Sequence, residues 1–150
     1  MSANYQLRVT EARQAARTEA DAMGITAEMI SELVDTFYGH VRSDDMLGQV
    51  FEKAIGDRWE PHLETMKRFW SAIVFHDGGY GGRPMPAHMK LKAEISPAHF
   101  ERWLGLFAQT LDELGLGEAA KAAFLDRANR IAGSFQAHLF YDPYTTVPQG

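Results

Sequence analysis

The chain has 150 residues, 45% of them hydrophobic and 23% charged, which suits one globular domain with a real core and argues against a disordered chain. Its formal net charge of −5 argues against a nucleic-acid partner, whose phosphate backbone calls for a basic surface. It contains no cysteine, so disulfides, thiolate catalysis, zinc fingers and iron–sulfur clusters are excluded.

The longest apolar run, Ala72-Ile73-Val74-Phe75, is far short of the ~20 residues a membrane span needs. The first twenty residues lack an apolar centre and contain Glu11 and Glu19, so they read neither as a secretory signal nor as a transit peptide. The expectation is a soluble cytoplasmic protein without a membrane or nucleic-acid partner, present as a monomer or weak dimer.

In chain order, residues 1–24 read as an N-terminal extension with a leading helix, Ala- and Glu-rich, weakly striped and loosely docked. The remainder, 25–150, reads as one domain with a frayed tail after Asp142-Pro143. Thr26 is placed to cap a helix whose stripe runs Met29, Ile30, Leu33, Val34, Phe37, Tyr38, Val41 at three- and four-residue steps. A short helical turn around Val50, Phe51 and Ile55 follows. A second strong stripe is Trp59, His62, Leu63, Met66, Phe69, Trp70, Ile73, with Pro61 tolerated near its start.

The stretch HDGGYGGRPMP forbids a regular helix, and His88 comes directly after it on a short turn. Ser96-Pro97 marks a helix start, with the stripe Phe100, Trp103, Leu104, Phe107, Leu111, Leu114 ending at Gly115 and Gly117. The last stripe carries Phe124, Ala128, Ile131, Phe135 and Leu139. No segment alternates with period two, so the fold class is all-α.

His62 and His88 stand out among six histidines. His62 lies on a helix's apolar stripe; His88 is fed by a Gly/Pro stretch that lets its ring tilt beneath a flat cofactor. A neutral imidazole is a good iron ligand, and a single protein ligand leaves the other axial site of a haem open. Phe37, Phe51, Met66, Phe69, Trp70 and Phe107 supply the large aromatic and soft side chains that a haem pocket uses. On these spacings alone the same residues also describe a plain helical core. His40, His76, His99 and His138 read as core or boundary histidines.

Four ordered segments are similar to the truncated haemoglobin family, and to its group III branch in particular. FYGHVRSDDMLGQVFEKAIG resembles the second helix and following turn, and WEPHLETMKRFWSAIV the distal helix. GRPMPAHMKL resembles the proximal histidine segment, and PAHFERWLGLFAQTLDEL the next helix. The resemblance implies a two-on-two helical sandwich around one haem b, with His88 as the proximal iron ligand. It implies Tyr38, His62 and Trp103 on the distal side. It also implies Phe37, Phe51, Met66, Phe69, Trp70, Phe107 and, beside His88, Met85 and Leu91 as cofactor contacts. Lys67, Arg83, Lys90 and Lys92 are nearby candidates for the haem carboxylates.

A diatomic ligand that gains negative charge is stabilised by hydrogen-bond donors in a dry pocket, and Tyr38 O–H and Trp103 N–H are such donors. The expected function is reversible binding of dioxygen, nitric oxide and carbon monoxide, with slow dioxygen loss suited to scavenging or detoxification. Two alternatives stand beside it: a peroxidase or nitric oxide dioxygenase served by an external reductase, and a haem-free helical interaction module.

Overall fold

A computed structural model describes residues 2–76 and 94–140, the side chains of 2–5 and 138 excepted. Six helices make up the described chain: α1 (Ser2–Ala22), α2 (Ala27–Ser43), α3 (Leu47–Ile55), α4 (Trp59–Phe75), α5 (Pro97–Glu113) and α6 (Glu118–Leu139). No strand occurs among the described residues.

Local chemistry accounts for the helix ends. Thr26 accepts the Met29 amide at 3.1 Å and opens α2. Gly24 and Gly115 take φ of +74° and +69° and terminate the segments before them. Ser96 and His99 form a capping box at the start of α5, in which the Ser96 N–H donates to His99 Nδ1 at 3.0 Å, with Pro97 in the first turn. His76 ends α4 in the left-handed region, at φ 53°.

The apolar stripes then decide the packing. α2 lies on α4, α5 lies on α6, and α2 joins the two pairs by packing across α5. This is the two-on-two sandwich that the sequence resemblance implies. Between the pairs sit Leu33, Phe37, Phe107, Leu111 and Phe124, each at most 2% exposed. Burial of side chains of this size contributes about 1.5–3 kcal/mol apiece.

The C-terminal half of α1 is docked more firmly than its weak stripe suggests. Ala16 and Ala20 are buried, the Arg17 guanidinium lies 4.9 Å from the Phe75 ring centre, and Arg13 Nε donates to the His76 carbonyl at 3.2 Å. Small residues let the helix approach closely, and the arginine stems cover apolar surface, so a low apolar count still makes a contact.

The α2–α3 corner is fixed by one carboxylate. Asp44 Oδ2 accepts the Met46 and Leu47 amides at 3.1 and 2.9 Å, while Oδ1 accepts Arg102 Nε of α5 at 2.6 Å. Burial favours the neutral acid, but the Leu47 amide, Arg102 and the Met46 amide outweigh it and hold the Asp44 pKa below its ordinary value. Gly48 completes the corner: a Cβ there would stand 2.8 Å from the Arg42 carbonyl oxygen, so α3 crosses the end of α2 at a distance only glycine allows.

Candidate functional site

Four helices leave a cavity of about 600 Å³ between them. One wall is α3, through Leu47, Val50, Phe51 and Ala54; another is the start of α4, through Pro61 and His62. The third is the start of α5, through Phe100 and Trp103, and the fourth is α6, through Ile131 and Phe135. The volume falls in the range of cofactor pockets, roughly 300–1,000 Å³. Apolar groups dominate the wall, and the polar side chains on it are few: Arg58, His62, Thr65 and His99.

Behind that wall lies a continuous set of rings. Trp103 stacks on Phe107 with 5.8 Å between centroids and 8° between planes, and Phe107 stacks on Trp70 at 5.3 Å and 16°. Phe37 meets Trp103 and Phe107 edge-on at 5.5 and 5.1 Å. These offset and T-shaped arrangements are the favoured ones for aromatic quadrupoles. They hold Trp103 rigidly where α5 faces the cavity.

Tyr38 is buried on α2, edge-on to the His62 ring at 5.3 Å and 6.0 Å from the Phe51 ring. Burial pushes its phenol pKa well above the ordinary value, and a hydrogen bond with the Trp103 side chain opposes that rise. An indole N–H only donates, so Trp103 supplies this bond and the phenol oxygen accepts it. Tyr38 and Trp103 thus face one another beside the cavity.

Phe51, His62 and Trp103 thus line the cavity together, with Tyr38 directly behind them. Phe37, Trp70 and Phe107 are buried in the ring set behind the wall, and Met66 and Phe69 pack half-buried against the core. Met85, His88 and Leu91 lie outside the described residues. So do Arg83, Lys90 and Lys92. Lys67 forms ion pairs with Asp35 at 3.0 Å and Glu64 at 3.7 Å.

Among the wall residues that sequence reasoning passed over are Arg58, His99, Ile131 and Phe135. Ile131 and Phe135 read simply as the stripe of the last helix. Arg58 falls between two stripes and carries no periodic signal. His99 sits in a capping-box position, where a boundary role is the ordinary reading. His40, read likewise, pairs with Glu113 at 2.6 Å on the surface.

The cavity's size, its apolar walls and its aromatic backing fit a large, flat, mostly apolar cofactor such as haem. Comparison with known proteins points the same way. The family model described as bacterial-like globin matches residues 18–137. A group 3 truncated hemoglobin of Campylobacter jejuni is 35% identical over 119 residues, 77% of this chain and 92% of that relative. The crystal structure of a group III truncated hemoglobin from Campylobacter jejuni superposes with a TM-score of 0.72 at 34% identity. It covers 82% of this chain and 96% of its own.

Proposed function

The chain belongs to the bacterial-like globin family, in its group III truncated haemoglobin branch, and we propose that it binds dioxygen, nitric oxide and carbon monoxide reversibly as a gas scavenger. Family membership implies a haem, which weighs against the haem-free helical module. The observation that carries the reading is the apolar cavity walled by Phe51, His62 and Trp103, with the Tyr38 phenol behind it.

The absence of cysteine leaves no thioether attachment, which favours a non-covalently held haem b. We assign His88 as the proximal ligand, with Met85 and Leu91 beside it, on the sequence argument given above. Phe51 and Trp103 would pack against the cofactor. Phe37, Trp70 and Phe107 would brace that surface from behind, with Met66 and Phe69 packed half-buried against the same core. When bound, haem would supply an iron that binds diatomic gases.

The chain's own residues do the rest. The Tyr38 O–H and the Trp103 N–H are the donors we assign toward a ligand that carries negative charge. In a dry pocket each such bond contributes on the order of 1 kcal/mol. To His62, on the cavity wall, we assign the gating of ligand entry. No described helix is long and apolar enough to cross a membrane. A cytoplasmic site of action, as expected for a cysteine-free chain, completes the proposal.

Ferric, ferrous and carbonmonoxy absorption spectra of the purified protein test it. The expected result is a Soret band that shifts with carbon monoxide and weakens sharply in His88→Ala. A chain with no Soret band after haem is added overturns the proposal.

A further inference from the structure

The cavity's few polar groups carry information of their own. Arg58 lines the cavity from the exposed junction between the end of α3 and the start of α4. Its Nε donates to the Ile55 carbonyl at 3.3 Å and its Nη2 to the Ala54 carbonyl at 2.9 Å. These bonds anchor the guanidinium on the α3 C-terminus, where a cation is favoured, and use two of its five donors. Other basic side chains nearby are paired: Lys53 with Glu94, Lys67 with Asp35, and Arg102 with Asp44. Among the described residues no carboxylate pairs with Arg58. An oriented guanidinium without an acidic partner at the edge of an apolar cavity is a carboxylate receptor.

His99 lines the same cavity from α5. Its Nδ1 accepts the Ser96 N–H in the capping box at 3.0 Å. An accepting Nδ1 carries no proton, so the neutral ring holds its proton on Nε2, and His99 offers one donor that the capping box does not use.

We infer that Arg58 and His99 form the polar rim of the cavity and bind the two propionate carboxylates of the haem. This rests on the haem reading above. It gives the cofactor an orientation, with its apolar edge against α6 and its acidic edge at the α3–α4 junction. It also replaces Lys67, whose charge is already neutralised, as the described candidate for that role.

The test compares protohaem with protohaem dimethyl ester, which has the same ring and iron but no carboxylates. Each is bound to the full chain, and its loss to excess apomyoglobin is followed by the Soret band. The variants are Arg58→Met and His99→Glu. The second keeps a capping-box residue at its position while setting an anion at the rim. The expected result is protohaem loss about fivefold faster in each variant, as for a solvent-exposed ion pair, with ester loss unchanged. Equal acceleration for both haems, no change for protohaem, or a wild type that holds both haems equally well overturns the inference. A wild type that takes up neither haem instead overturns the haem reading, and this assignment falls with it.

Discussion

The rings of Tyr38 and His62 meet edge to face, 5.3 Å between centroids and 89° between planes. Tyr38 belongs to the buried face of α2 and His62 to the cavity wall of α4, so this contact joins the core to the site.

Tyr38→Phe keeps the edge-on packing and removes the O–H. Dioxygen is expected to leave the variant about fivefold faster than the wild type, the equivalent of one hydrogen bond of ~1 kcal/mol. Stopped-flow dissociation measures this directly. Equal rates in the two proteins refute the donor role.

The same phenol gives an alkaline signature. Burial holds its pKa above the ordinary value of 10.0, with the Trp103 hydrogen bond only partly opposing it. The unfolded chain therefore releases this proton first as pH rises. The stability associated with Tyr38 is full below pH 10.0 and declines above it, by up to ~1.4 kcal/mol per pH unit. Denaturant titrations across that range should show a shallower decline in Tyr38→Phe.

Asp44→Ala removes the cap of α3 and the bridge to Arg102 together. A cost of about 1–2 kcal/mol is expected from urea titration near neutral pH. Because the folded-state pKa lies below its ordinary value of 3.8, this stability is present above that pH. It is lost as pH falls through the folded value, so the gap between wild type and variant narrows in acid.

Gly48→Ala places a methyl group 2.8 Å from the Arg42 carbonyl oxygen, against backbone that cannot rotate away. The α2–α3 corner must open, at a cost of about 1–3 kcal/mol. Since α3 is one wall of the cavity, haem loss should also quicken. An unchanged melting temperature contradicts the close crossing.

Ala54→Trp projects an indole into the cavity from α3. Haem uptake should fall to background, while the stability of the haem-free chain stays within about 1 kcal/mol of wild type, because empty space is filled and no core contact is lost. Normal uptake argues that haem does not occupy this space.

Sequence alone determined the helices, and for local reasons. Thr26, Ser96-Pro97, Gly24 and Gly115 act within a turn of where they stand, and the stripes of α2, α4 and α5 repeat at a helical period that needs no tertiary knowledge. The resemblance carried by four ordered segments added the family. What a stripe cannot express is the partner of each residue, because an apolar face a hundred degrees wide records burial and nothing about what lies opposite. Only the packing separated Phe51 and Trp103 on the cavity wall from Trp70 and Phe107 in the rings behind it. It also brought Arg58 and His99, far apart in the chain and silent in its periodicity, to the lining of one cavity. Tyr38 and His62 were both legible as apolar-stripe residues on separate helices. Their edge-on contact exists because α2 and α4 cross there.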